Sequence, residues 1–153
     1  MPIGTRRLAK ERIDLQNSDI PGISVIAAED LQEWTFCIQV LGETPFAGEQ
    51  FALRFKFPPE YPIKPPEVTF LVSEKWQAPM HPHVYSNGHI CASILSEDGW
   101  SPVLTASKVC LSLQSMLASC KSKERPPDND QYVKTARSQS PKHTRFVYHD
   151  DNV

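Results

Sequence analysis

The chain has 153 residues, four cysteines, fourteen prolines and a formal net charge of −2. That length suits one domain with a core of ordinary size, and the near-neutral balance carries no general signal for nucleic acid. The opening MPIGTRRLAKER holds no apolar h-region and no later apolar run approaches spanning length, so a soluble, unsecreted chain without membrane contact is expected, with its cysteines kept as thiols by a reducing compartment.

In chain order, Thr5 reads as the N-cap of a helix running to about Asn17. Leu8, Ala9, Ile13 and Leu15 share its apolar side, while Arg6, Arg7, Lys10 and Asp14 fall mostly on the other. Pro21-Gly22 ends it. Four strand-like runs follow: Ser24–Ala28, Trp34–Leu41, Phe51–Phe57 and Glu67–Val72. Trp34, Phe36, Ile38 and Val40 alternate onto one face, as do Phe51, Leu53, Phe55 and Phe57. Short links with Gly42, Pro45 and Gly48 favour an antiparallel meander with one buried face, hence an α+β fold. The Pro58–Pro66 stretch, rich in proline, makes a stiff loop, read either as a rigid crossover or as a recognition surface.

The stretch from Met80 to Leu95, MHPHVYSNGHICASIL, gathers His81, His83, His89 and Cys91 around the turn signal Ser86-Asn87-Gly88. Pro82 keeps it out of helix and central strand. On residue types alone three readings stand open. Cys91 is a small buried hydrophobe among satisfied turn residues. Alternatively the four side chains bind zinc, although H-x-H and H-x-C are tighter than structural-site spacings. Or Cys91 is a nucleophile whose adduct is stabilised by donors on a rigid loop.

After Trp100-Ser101-Pro102, Thr105 is a good cap for a helix to about Cys120, with Val109, Leu113, Met116 and Leu117 facing the core; Cys110 and Cys120 read as packing residues. Basic residues precede Pro126-Pro127, and Asp128 is the expected cap of a short helix to about Ala136. A core domain over 1–137 and a weakly ordered tail over 138–153, anchored only by Phe146 and Tyr148, complete the expectation.

Taken together, Tyr61-Pro62-x-x-Pro65-Pro66, His81-Pro82, Tyr85-Ser86-Asn87-Gly88-x-Ile90-Cys91 and Trp100-Ser101-Pro102 resemble the ubiquitin-conjugating enzymes, in the order and spacing of that family. The resemblance covers residues from about 5 to 137. It implies a thioester between Cys91 and a ubiquitin C-terminus, received from an activating enzyme and passed to an amine. It implies no cofactor, since ATP is consumed by the partner enzyme, no resident metal, and work in nucleus and cytoplasm. Arg6, Arg7 and Lys10 match the face that docks the activating enzyme. Pro62, Ile63, Pro65, Pro102 and Val103 match the loops that bind RING-type or U-box ligases, with Ile63 where a phenylalanine is common. Asp128 and Asn129 fall near an acidic gate over the cysteine. Some members of the fold lack a working cysteine and act as binding modules; here Cys91 is present.

Two departures carry information. His83 stands where most members have asparagine, and Ser93 where lysine-modifying members commonly have an acid. A neutral imidazole still donates one hydrogen bond, to an oxyanion or to the loop. With HPHVYSNGHIC, the RPPDN stretch and the closing YHDD, the match is nearest to the W-type branch, which is directed at the α-amino groups of flexible protein N-termini. At pH 7 roughly 10–20% of α-amines are unprotonated, against about 0.04% of lysines. A site without carboxylates to deprotonate lysine therefore still serves an α-amine, by over ~3 kcal/mol in free-base availability.

Overall fold

A computed structural model of the chain describes residues 3–137 and 139–143. Helix α1 spans Ile3–Gln16; strands β1 (Ile23–Ala27), β2 (Glu33–Gln39), β3 (Gln50–Lys56) and β4 (Glu67–Phe70) follow; helices α2 (Ala106–Ala118) and α3 (Asn129–Ala136) come after the irregular stretch, and short 3-10 turns lie at Ser93–Leu95 and Pro141–His143. Among the described residues no helix is long and apolar enough to cross a membrane.

The strands form an antiparallel meander in the order β1-β2-β3-β4, and the α+β expectation holds. Period-two alternation decides which face is buried: Trp34, Phe36 and Ile38 of β2 are opposite Phe55, Leu53 and Phe51 of β3, which in turn bring Val68 and Phe70 of β4 into register. These side chains are essentially without solvent contact, and α2 adds Val109, Leu113 and Leu117 to the same core. Aromatic edges meet faces through it, with ring centroids 4.8 Å apart for Trp34–Phe57 and for Phe57–Tyr61. The weak first strand carries a bulge between Val25 and Ala27 and is largely exposed, as its mixed sequence suggests. β4 stops at Phe70, two residues short of the expected end: Leu71 N–H still reaches Ala52 O of β3 (2.8 Å), while on the other edge Phe70 N–H donates to Gly88 O of the following loop (2.9 Å).

Both outer helices depart from expectation in a way that tertiary contacts explain. α1 begins at Ile3, so Thr5 lies inside its first turn rather than capping it. Gly4 permits this, since a Cβ there would sit 2.4 Å from the Tyr61 carbonyl oxygen of the proline-rich loop. The buried face is Leu8 with Glu11, spaced three apart, while Ile13 is exposed. Glu11 is buried because donors from three regions meet on it. Ala106 N–H, at the start of α2, donates to Oε1 (2.8 Å), and Tyr61 Oη (2.6 Å) and Arg7 Nε (3.0 Å) donate to Oε2. Burial, followed by the Glu11 charge and its hydrogen bond, pushes the Tyr61 phenol well up. Arg7 also reaches the Leu104 carbonyl (2.8 Å). α2 is capped as expected, with Thr105 Oγ1 accepting from Lys108 N–H (3.2 Å). α3 has the expected bounds but not the expected cap: the Asp128 carboxylate makes no cap bond and instead takes the Tyr85 hydroxyl. Of the expected tail, residues 139–143 lie against β4; Ser138 and residues 144–153, with Phe146 and Tyr148, lie outside the described residues.

The Glu11 junction yields a stability prediction. Glu11→Ala strands the Tyr61 hydroxyl and the Ala106 amide, and is expected to cost about 2–4 kcal/mol in urea unfolding. Glu11→Gln, whose amide oxygen can still accept from Ala106, should cost less; equal losses would remove the hydrogen-bond explanation.

Candidate active site

The chain between β4 and α2 folds back on itself so that residues eight apart share a hydrogen bond. Cys91 N–H donates to His83 O (2.8 Å), and His83 N–H donates to His81 Nδ1 (2.9 Å), so the His83 peptide is held on both sides. The reversal is built at Tyr85–His89: Gly88 N–H donates to Tyr85 O (2.9 Å), Tyr85 N–H to His89 O (2.9 Å) and His89 N–H to Asn87 Oδ1 (3.1 Å). Gly88 has φ +92°, and a Cβ there would lie 2.0 Å from Phe70 O, so both its left-handed backbone and its contact with β4 require glycine.

All three clustered histidines are buried, and Cys91 is only 8% exposed. His81 is wholly enclosed. Because its Nδ1 accepts the His83 amide, the proton of the neutral ring is on Nε2, which points toward the Met116 backbone without a hydrogen bond of normal geometry. Burial, with the His83 ring 5.5 Å away, lowers its pKa from 6.5 to about 4. Among the described residues no group of three or more His, Cys, Asp and Glu side chains is arranged to hold a metal. His81 takes the His83 amide on its Nδ1, and His89 Nδ1 lies 2.7 Å from the Tyr132 hydroxyl.

One flank of Cys91 is gripped by the segment leading into α3. Arg125 donates to the carbonyls of Pro79 (2.7 Å), Val84 (3.2 Å) and Ala78 (3.0 Å), closing the start of the loop with one guanidinium. Asn129 accepts Ser86 N–H (2.9 Å) and donates to Ser86 Oγ (3.1 Å). The Tyr85 hydroxyl donates to Asp128 (3.1 and 3.3 Å), and its ring stacks on Tyr132 at 3.9 Å. Tyr132 Oη in turn lies 2.7 Å from His89 Nδ1. Burial first, then the Asp128 hydrogen bond and charge, pushes the Tyr85 phenol up, and the phenol lies close enough to the Cys91 thiol to sense its charge. Burial lowers His89 against the opposing pull of Glu67 and of the Gln139 backbone.

Directly after Cys91 in the chain, a cavity of about 290 Å³ lies between the loop and α2, lined by His83, Ala92, Ser93 and Ile94 on one side and by the hydroxyls of Ser112, Ser115 and Ser119 with apolar Leu113 and Met116 on the other. No carboxylate lines it among the described residues. The site can thus hold a thiol on a pinned backbone, with hydroxyls and an imidazole nearby and the Asp128 carboxylate engaged by a phenol. The remaining thiols differ in kind: Cys110 is fully buried on α2, and burial pushes its pKa well up, while Cys120 is buried and Cys37 half-buried on β2.

The other sequence-derived candidates fall into two groups. Arg6 and Lys10 are exposed on α1, whereas Arg7 is turned inward onto Glu11 and Leu104. Ile63 and Val103 are strongly exposed and Pro102 is exposed, but Pro62 and Pro65 are buried and shape the loop from within. Trp100 Nε1 donates to Pro62 O (2.7 Å), fastening the two loops together. Sequence reasoning passed over Glu11, Tyr85, Arg125 and Tyr132 as contributors; the usable signals are the i,i+4 spacing of Arg7 and Glu11 and the arginine in RPPD, directly before the Asp128-Asn129 pair.

The family model for ubiquitin-conjugating enzymes matches residues 7–149. A probable ubiquitin-conjugating enzyme E2 W-A of Danio rerio is 48% identical over 149 residues, covering 95% of each chain. The ubiquitin-conjugating enzyme E2 W of Caenorhabditis elegans is 47% identical over 152 residues, covering 97% of each. Among solved structures, the ubiquitin-conjugating enzyme E2 UbcA1 of Agrocybe aegerita superposes with a TM-score of 0.88 at 52% identity, over 93% of this chain and 100% of that one.

The enclosed His81 gives a pH prediction with a definite sign. Between pH 6.5 and about 4 the unfolded chain binds a proton that folded His81 refuses. Its contribution is therefore intact above pH 6.5 and is lost as pH falls toward 4, by about 3 kcal/mol in all. His89, also lowered, adds in the same direction. Urea titrations across that range should show a shallower pH dependence in His81→Gln than in the wild type; an unchanged slope would place the refused proton elsewhere.

Proposed function

The chain belongs to the ubiquitin-conjugating enzyme family, in its W-type branch, and on that premise we propose that Cys91 carries the thioester and delivers ubiquitin to the α-amino group of flexible protein N-termini. Enzymes of this family take ubiquitin from an activating enzyme and work with ligases. In the charging step the Cys91 sulfur attacks the carbonyl carbon of the activating enzyme's thioester, and the partner's thiolate leaves. In the transfer step the neutral amine attacks the same carbon, the Cys91 thiolate departs, and the amine gives up a proton. The His83 ring serves as donor to the developing oxyanion or as brace of the loop that bears it.

The observation that carries the acceptor preference is the chemistry beside Cys91. The neighbouring cavity is lined by His83, by the hydroxyls of Ser93, Ser112, Ser115 and Ser119 and by apolar Ile94, Leu113 and Met116, with Ser93 two residues after the cysteine, and the Asp128 carboxylate is occupied by the Tyr85 hydroxyl. Such surroundings offer little help in stripping a proton from lysine, whereas an α-amine is already partly free near pH 7. Asp128 and Asn129 act in this reading as a gate-side clamp on the loop. Arg6 and Lys10 meet the activating enzyme, with Arg7 holding the helix that presents them. Ile63, Pro102 and Val103 form the outer surface for a RING-type or U-box ligase, over the buried Pro62 and Pro65. The pathway uses no cofactor on this chain, ATP being spent by the activating enzyme, and it operates in nucleus and cytoplasm.

Charging with activating enzyme, ATP and ubiquitin should give a reductant-sensitive adduct that Cys91→Ser converts into a more durable oxyester. Cys37→Ala, Cys110→Ala and Cys120→Ala should still charge.

The acceptor preference is read by discharge. At pH 7 a peptide with a free, flexible N-terminus should discharge the thioester on the order of a hundredfold or more faster than Nα-blocked lysine at equal concentration. Acetylating that N-terminus should abolish acceptance, and proline at its first or second position should impair it. Mass mapping that finds the linkage mainly on lysine side chains would return the protein to ordinary lysine chemistry.

A further inference from the structure

Past α3, residues 139–143 are laid against β4 and reach the turn Ser93–Leu95. Ser140 Oγ donates to the Glu67 carboxylate at the start of β4. The same oxygen accepts Lys142 N–H (3.1 Å), so one hydroxyl both opens the turn Pro141–His143 and ties it to the sheet. Lys142 Nζ donates to Leu95 O (3.1 Å), and Glu67 and Glu97 lie within reach of its charge. The Gln139 backbone faces the His89 ring, which reaches Tyr132 on its other side. The short segment therefore borders the loop that bears Cys91.

Its sequence is Ser140-Pro141-Lys142-His143, a serine directly followed by proline and then by basic residues. Proline keeps the preceding residue extended, the local form in which a proline-directed protein kinase takes its substrate. We propose that Ser140 is a phosphoacceptor for such a kinase, and that its modification releases residues 139–143 from β4. In the reaction the Ser140 hydroxyl oxygen attacks the γ-phosphorus of ATP, the bond from that phosphorus to the bridging oxygen breaks, ADP leaves, and the hydroxyl proton is lost.

Release follows from the donor and acceptor inventory. The hydroxyl that now donates to Glu67 becomes an ester oxygen with no proton to give, and the new group brings about −1.5 to −2 charge against a carboxylate that only accepts. Glu97 lies on the same side, and the Lys142 ammonium, which donates to the Leu95 carbonyl, already faces the charges of both Glu67 and Glu97, so two carboxylates share the cation that a dianion would need. Lys56 stands 4.0 Å from Glu67 and half-exposed, too weakly engaged to offset a dianion. Ser140 is itself half-buried, so a kinase meets it while the segment is lifted, and the phosphate then keeps it lifted. His89 loses the neighbouring Gln139 backbone in that state.

The test uses the full chain with a purified proline-directed kinase and ATP, comparing wild type, Ser140→Ala and Glu67→Ala. Mass mapping should find one phosphate at Ser140 in the wild type and none at that position in Ser140→Ala. Trypsin should cut after Lys142 roughly ten- to a hundredfold faster in the phosphorylated chain, the range set by losing one hydrogen bond to a charged group. Glu67→Ala, which undocks the segment without phosphate, should speed both labelling and cleavage. Unchanged urea midpoints in Ser140→Ala would separate local release from unfolding. The proposal is overturned if Ser140 stays unlabelled, if labelling is confined to Glu67→Ala, or if the phosphorylated chain is cut no faster than the unmodified one.

Discussion

At Gly88 the reactive loop touches the sheet, and there is no room for anything larger than a hydrogen atom. The contact with Phe70 fixes where the loop starts its reversal, and the reversal fixes which carbonyl the Cys91 amide can reach. Everything at the site inherits its position from that contact. Phe70 is itself held by register with Leu53 on β3, so the geometry of the thiol traces back, strand by strand, to the alternation of aromatic and aliphatic residues along the meander. An active loop without regular secondary structure thus borrows its rigidity from the most regular part of the fold.

The buried polar groups follow one logic in two places. Under α1, a carboxylate gathers donors from a helix, a loop and another helix's first amide; around Cys91, a guanidinium gathers three carbonyls. In each case a charge is kept inside because its hydrogen-bonding capacity is met by groups distant in sequence. Such junctions add less net stability than apolar packing of equal size, but they tolerate few alternative arrangements. The Cys91 loop is framed by the second of them, Arg125, at its start, while beyond it Trp100 joins the proline-rich loop to the turn before α2.

How much of this is legible in the sequence depends on the range of the forces involved. The meander reads directly, because period-two alternation is a local pattern with a single consistent face. The cap at Thr105 reads for the same reason. The inner face of α1 does not: Glu11 looks like a solvated charge until Tyr61 and Ala106 arrive beside it. Asp128 looks like a helix cap until the Tyr85 hydroxyl competes for it. The cluster of histidines leaves a metal site, packing and a catalytic setting all open, with spacing against the metal, since residue types do not say whether a ring nitrogen faces an ion or a backbone amide. Only His81 Nδ1 on the His83 amide shows that one of these rings is a brace. The resemblance carries the family, and the structure shows what the histidine of its histidine-proline pair does here.

The Arg125 clamp also has a meaning in time. During synthesis Cys91 leaves the ribosome before the residue that closes its loop, by an interval on the order of seconds at ordinary elongation rates. Until then Ala78, Pro79 and Val84 have only water for their carbonyls, and α3 is not yet present to stack against Tyr85. The nascent chain thus carries an unframed thiol until the segment from Arg125 through α3 docks against the loop. A chain broken off before Arg125 would hold the strand residues and Cys91 yet lack this frame, so the order of synthesis puts the framing of the thiol after the sheet.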